Sequence, residues 1–156
     1  MRWLMIIYLL LAHSVQAETL SGTVVGIVDG DTLTIVDAQK RRYRVQLAEV
    51  DAPEGKQAFG TKSGRSLYGL CFRKAAQVEW QAKDRNNRYI GHVTCAGVDA
   101  NAEQVRRGMA WVSPRFTKPG SALYELEAHA RLRSLGLWAD SQAVAPWEWR
   151  AKKPVR

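Results

Sequence analysis

The stretch TVVGIVDGDTLTIV, Thr23 to Val36, reads as two strands folded about a turn. Thr23 to Val28 is β-branched and apolar. Asp29-Gly30-Asp31 interrupts it with turn-forming residues, because short polar side chains bond their own backbone and glycine accepts any φ. Thr32 to Val36 then alternates, with Leu33 and Ile35 on one face and Thr32 and Thr34 on the other. Downstream, Asp37 to Lys40 is a polar turn. Tyr43, Val45 and Leu47 alternate with Arg42, Arg44 and Gln46, the period-two pattern of a half-buried strand. The spacing therefore predicts a three-stranded meander from Leu20 to Leu47.

Beyond it, Gln57 to Phe72 reads as a helix weakened by Gly60, Gly64 and Gly69. Ala76 to Trp80 and Tyr89 to Thr94 read as strands joined by the polar loop Lys83 to Arg88. Asn101 to Arg107 reads as a short helix ended by Gly108. A third helix runs from a Ser121 cap to Leu135, closed by Gly136. Five strands and three helices predict a mainly β fold with α, a small Greek-key barrel of the oligonucleotide-binding type.

The 156 residues, 46% apolar and 24% charged, suit one domain with a real core. A net charge of +8 favours polyanionic partners. The N-terminus reads as a leader. Arg2 precedes an apolar run, Trp3 to Ala12, that is too short to span a bilayer, and Val15-Gln16-Ala17 offers a cleavage site. Residues 1–17 are therefore expected to be a signal peptide, cut after Ala17, and residues 18–156 the folded domain. The alternative is an uncleaved membrane anchor. Export implies a periplasmic or secreted protein without stable membrane association after cleavage, and a monomer is expected. The two cysteines, Cys71 and Cys95, lack the paired spacing of a zinc site. In an oxidising compartment they are disulfide candidates, with two buried thiols as the alternative.

Some motifs fall away. GKQAFGTKS, Gly55 to Ser63, is not a P-loop, because Thr61 puts the lysine out of register. His13, His92 and His129 show no metal-ligand spacing, and no Ser-His-Asp arrangement is legible. What remains is acidic. Asp29 and Asp31 sit at the first turn, and Asp51 and Glu54 follow the third strand. If the meander forms, these carboxylates meet on one rim of the sheet. Clustered carboxylates repel one another unless a cation neutralises them, and a hard divalent ion such as Ca²⁺ or Mg²⁺ is the natural partner. Surrounded by Arg42, Arg44, Lys56, Lys62, Arg85 and Arg88, such a centre suits phosphodiester hydrolysis. The alternative is that each aspartate only serves its turn.

VDGDT (Val28 to Thr32), VDAPE (Val50 to Glu54), DRNNR (Asp84 to Arg88) and the closing GLWAD and PWEWR stretches together resemble the staphylococcal nuclease family, from about Leu20 to Arg150. The resemblance implies a five-stranded oligonucleotide-binding barrel with three helices, and a Ca²⁺-dependent nuclease acting on DNA or RNA. It implies that Asp31, Asp51 and the backbone carbonyl of Ala52 bind Ca²⁺, that Glu54 orients or deprotonates the attacking water, and that Arg88 contacts phosphate. Asp29 would support the metal ligands. The family's other arginine stands five residues before the second metal aspartate. Here that residue is Gln46, which brings no charge and no bidentate fork. Arg44, two residues back on the same face, is the candidate to compensate. Asn86 and Asn87 replace the family's usual Tyr-Gly.

Among the aromatics, Trp80, Trp111, Trp138, Trp147 and Trp149 read as core or barrel-closing residues. Phe116, in a loop with Arg115 and Lys118, is the stacking candidate for a base, and Arg85 and Lys118 for phosphate contacts. Two readings follow: an exported nuclease weakened by Gln46, or a nucleic-acid-binding barrel that has kept the groove without the chemistry.

Overall fold

The computed structural model describes residues 18–152. The expected leader and its cleavage site lie outside the described residues. The chain forms strands β1 (Glu18–Ile27), β2 (Thr32–Val36), β3 (Arg42–Leu47) and β4 (Val50–Asp51), then helix α1 (Gly60–Cys71). There follow β5 (Ala75–Lys83), β6 (Tyr89–Cys95), β7 (Val98–Asp99), α2 (Ala100–Arg106), β8 (Trp111–Val112), α3 (Ala122–Leu132), a 3₁₀ turn (Gly136–Ala139) and α4 (Pro146–Ala151).

β1 serves two neighbours. Its first half pairs with β5 and its second half with β2, both antiparallel. The register slips between Val24 and Gly26, a bulge that bends the strand from one partner toward the other. At this corner Gly22 lies so close to Val36 that a Cβ would collide with its carbonyl oxygen. β2 pairs with β3, and β5 with β6. β3 then meets β6 in parallel, with Val45 opposite Tyr89, Gln46 opposite Ile90 and Leu47 opposite Gly91. That pairing closes a five-stranded barrel. β7 pairs antiparallel with the end of β6, while β4 and β8 form a separate short ladder in which Asp51 faces Trp111.

The expected alternation holds in the core. Leu33, Ile35, Val45 and Leu47 are buried with Val24, Val78 and Val93, and Leu67 of α1 and Val105 of α2 cap the cluster. Cys71 and Cys95 form a disulfide that ties the end of α1 to the end of β6.

Three differences from the sequence reading have local causes. α1 begins at Gly60 rather than Gln57, because Phe59 takes a left-handed φ of 66° and a tight turn occupies the residues before it. Gly60 is required there, since a Cβ would collide with the Glu54 carbonyl. α3 stops at Leu132, where Ser134 turns to φ 51°, and Gly136 opens a 3₁₀ turn instead of capping the helix. The three expected helices become four, because Pro146 starts a further short helix near the C-terminus.

Candidate active site

A groove of about 930 Å³ opens where β3 ends and β6 begins. The parallel pairing of these strands is what brings the residues after β3 beside the loop before β6. Asp29, Asp31, Gln46, Asp51, Ala52, Glu54, Arg85, Arg88, Phe116 and Lys118 all line it. Arg44 is exposed on β3 and is not among the lining residues.

The Asp29-Gly30-Asp31 turn forms one wall. The backbone N–H of Asp31 donates to the Asp29 carboxylate at 3.1 Å, an Asx-type turn. Gln104 Nε2, from α2 beneath, donates to the Gly30 carbonyl at 2.7 Å. A Cβ at Gly30 would collide with Ser63, so the turn sits directly on α1. Asp31 itself is buried. Its carboxylate accepts the Ala52 backbone N–H at 2.7 Å and the Thr32 hydroxyl at 2.9 Å. Burial, then the nearby charge of Asp29, holds its carboxyl well above the ordinary range. The Ala52 N–H opposes this, and Asp51 adds to it.

Asp51 and Glu54 form the floor. Glu54 is held by a relay: its backbone N–H donates to Gln57 Oε1 at 3.1 Å, and Gln57 Nε2 donates to the Val144 carbonyl at 2.6 Å. Both carboxylates meet Arg150 of α4. Its Nη2 and Nη1 donate to the two Asp51 oxygens at 2.6 and 3.1 Å, and Nη1 also donates to Glu54 at 2.8 Å. These bonds, Asp51 first, hold the guanidinium pKa above its ordinary value although partial burial opposes them.

The loop before β6 presents Arg88. Asp84 accepts the backbone N–H groups of Asn86 and Arg88 at 2.8 and 2.9 Å, and Arg88 Nε at 2.7 Å. Burial alone would raise the Asp84 carboxyl; these donors outweigh it and pull it below the ordinary range. Asn87 takes a φ of 59°, a conformation that asparagine tolerates, so the Asn-Asn pair completes the turn. With Nε engaged, the Nη groups of Arg88 remain to meet an anion in the groove. Phe116, which also lines the groove, is 68% exposed, with the Arg115 guanidinium 5.3 Å from its ring centre.

Several groove residues escape the sequence reading. Arg150 is the most consequential. His92, read as an ordinary histidine, faces Glu49 with Nε2 3.2 Å from its carboxylate. Asp84 had a local signal, an aspartate two residues before a turn.

The donors suit a hard cation. Asp31 is desolvated and crowded by two other carboxylates, and no lysine or arginine among the described residues pairs with it. Among the described residues no three His, Cys, Asp or Glu side chains form a metal cage. The set is the Asp31 carboxylate, the Asp51 carboxylate that Arg150 now engages, and backbone oxygens, which is oxygen-only chemistry of the kind Ca²⁺ takes.

Residues 44–140 match the family described as staphylococcal nuclease homologue. The chain belongs to the staphylococcal nuclease family. A micrococcal nuclease of Shigella flexneri is 41% identical over 139 residues, covering 83% of this chain and 79% of the relative. An uncharacterized endonuclease of Escherichia coli is 34% identical over 154 residues, covering 97% and 99%. A staphylococcal-like nuclease of Arabidopsis thaliana is 31% identical over 113 residues, covering 72% of this chain and 35% of that longer protein. The matched segment of this staphylococcal nuclease homologue contains Gln46, Asp51, Glu54 and Arg88. It ends before α4 and Arg150.

Proposed function

We propose that this protein is a Ca²⁺-dependent nuclease, exported and monomeric, that hydrolyses phosphodiester bonds of DNA or RNA in the periplasm or outside the cell. The observation that carries the reading is the convergence of Asp31, Asp51, Glu54 and Arg88 in one groove of a staphylococcal nuclease homologue. Asp31, Asp51 and the Ala52 carbonyl would hold the Ca²⁺, which when bound polarises a phosphoryl oxygen. Glu54 orients a water and accepts its proton as the water oxygen attacks phosphorus. One P–O bond breaks, and the leaving oxygen takes a proton from solvent. Arg88 donates to the phosphate and stabilises the charge that develops on it. Phe116 offers a stacking surface for a base, and Arg85 and Lys118 extend the phosphate contacts.

Gln46 favours the second reading, a binding barrel without turnover. A glutamine donates one or two neutral hydrogen bonds where a guanidinium supplies charge and a fork. The two readings separate by assay. Purified mature protein is given single- and double-stranded DNA, with Ca²⁺ or with a chelator, beside Glu54→Gln. Cleavage that requires both Ca²⁺ and Glu54 is the expected result. Salt-sensitive binding with no cleavage would establish the binding barrel instead.

A further inference from the structure

We propose that Arg150, carried by the C-terminal helix, is the second phosphate-binding guanidinium of this groove, in place of the charge that Gln46 lacks. The inference rests on the nuclease reading and adds a catalytic residue to it.

Position comes first. Arg150 and Gln46 line the same groove as Arg88. The Arg150 guanidinium is one hydrogen bond from Glu54, the proposed water-activating group, at 2.8 Å. A phosphate whose attacking water rests on Glu54 therefore comes within reach of Arg150.

Donor count comes second. A guanidinium has five N–H donors. Arg150 spends three on Asp51 and Glu54. Nε–H and one Nη2–H have no partner among the described residues, and the side chain is 48% exposed. Arg88, by contrast, has Nε committed to Asp84. Both arginines thus line the groove, Arg88 braced by Asp84 and Arg150 by Asp51 and Glu54, each with donors left over.

Anchorage comes third. The Trp147 ring, three residues before Arg150, meets Trp111 edge-on at 5.8 Å. Trp111 is the ladder partner of Asp51. Trp111 also packs on Trp138 at 4.3 Å, and Arg131 lies 3.7 Å over the Trp138 ring. The tryptophans that hold α4 in place therefore hold it against the strand that carries Asp51. Such bracing is what a preorganised donor requires.

The competing possibility is an internal counter-ion, with Arg150 neutralising Asp51 and Glu54 and contributing nothing to the substrate. Four variants of the full mature chain decide: Arg150→Gln, Arg150→Lys, Gln46→Arg and the double variant Gln46→Arg/Arg150→Gln. Arg150→Gln should lower kcat by about 10²–10³-fold with the fold retained. Arg150→Lys should recover part of the loss. The double variant should regain at least about tenfold over Arg150→Gln while Gln46→Arg alone gains much less, a non-additivity that lost positioning of Asp51 or Glu54 would not produce. A second readout needs no turnover. Binding of a single-stranded oligonucleotide, titrated with salt in chelator, should lose about 0.7 from its log–log slope in Arg150→Gln, the share of one phosphate contact. If Arg150→Gln cleaves as fast as the unaltered protein, or faster, and binds Ca²⁺ more tightly by calorimetry, Arg150 is only a counter-ion. If no variant cleaves DNA or RNA, the nuclease reading fails by itself. The salt slope still tests Arg150, and an unchanged slope overturns the assignment.

Discussion

The carboxylate of Asp84 holds Arg88 at two points, its backbone N–H at 2.9 Å and its side-chain Nε at 2.7 Å. One residue thus fixes both where the loop turns and where the arginine aims. Asp84→Ala should lower kcat by about tenfold or more, because a misaimed guanidinium loses its fit to the transition state before it loses its charge. Thermal stability should fall by only about 1 kcal/mol, since the freed N–H groups lie near solvent. Steady-state kinetics beside a melting curve separates the two effects. An equal loss of activity and folded fraction would count against the aiming role.

The raised carboxyl of Asp31 makes a pH prediction with a definite sign. A group whose folded pKa is raised adds stability below its unfolded value, near about 4, and loses that contribution as pH rises through the folded value. In Ca²⁺-free buffer, then, the Asp31 carboxyl contributes less to stability at neutral pH than at acid pH. Asp31→Asn should raise Tm there by about 3 °C or more, and the gain should shrink as pH falls toward about 4.5. Added Ca²⁺ should raise Tm of the unaltered protein and leave the variant unmoved. Melting curves across this range, with and without Ca²⁺, read both effects.

Reducing the Cys71–Cys95 bridge should destabilise without touching the groove. The closed loop, with a sequence separation of 24, constrains the unfolded chain. The chain-entropy model puts its loss at about 3 kcal/mol. Cys71→Ser/Cys95→Ser should melt lower by several degrees yet cleave DNA at the normal rate well below its Tm. A change in kcat at low temperature would show that the bridge also shapes the site.

Phe116 lines the groove, is largely exposed and carries the Arg115 guanidinium against its ring. Phe116→Ala should weaken single-stranded oligonucleotide binding by about 1–3 kcal/mol, the worth of one stacked base, with Tm nearly unchanged. Fluorescence anisotropy with a labelled oligonucleotide checks it.

Much of this site is legible because its signals are local. Asp29, Asp31, Glu54 and Arg88 each sit at or beside a turn that the chain announces within a few residues, and Asp51 closes the two-residue strand β4 between two such turns. The alternation of Leu33, Ile35, Val45 and Leu47 fixes which strand faces enclose the core. Arg150 is legible only as part of a tryptophan-rich stretch. Its contact with Asp51 spans 99 residues, and α4, with six residues, is too short to show a periodicity. The same holds for the two-residue ladder of β4 and β8, which no pattern encodes but which aligns Asp51 with Trp111. The late start of α1 was hidden for another reason. Phe59 in a left-handed conformation is against its own preference, and the tight turn from Glu54 imposes it.

The closing of the barrel bears on how the protein breathes. The pairing of β3 with β6 spans three residues on each strand, and it is a seam between elements separated by β4, α1 and β5 in the chain. The carboxylates sit on one lip of that seam and Arg88 on the other. A ladder this short has few backbone bonds, so its local opening can be read by hydrogen exchange at Val45 to Leu47 and Tyr89 to Gly91. Any partial opening there would part acid from arginine while leaving the β1–β2–β3 meander and the β5–β6 hairpin intact. The expected outcome on gentle heating is that activity falls before far-UV circular dichroism does, and coincident losses would show that the seam opens only with the whole fold.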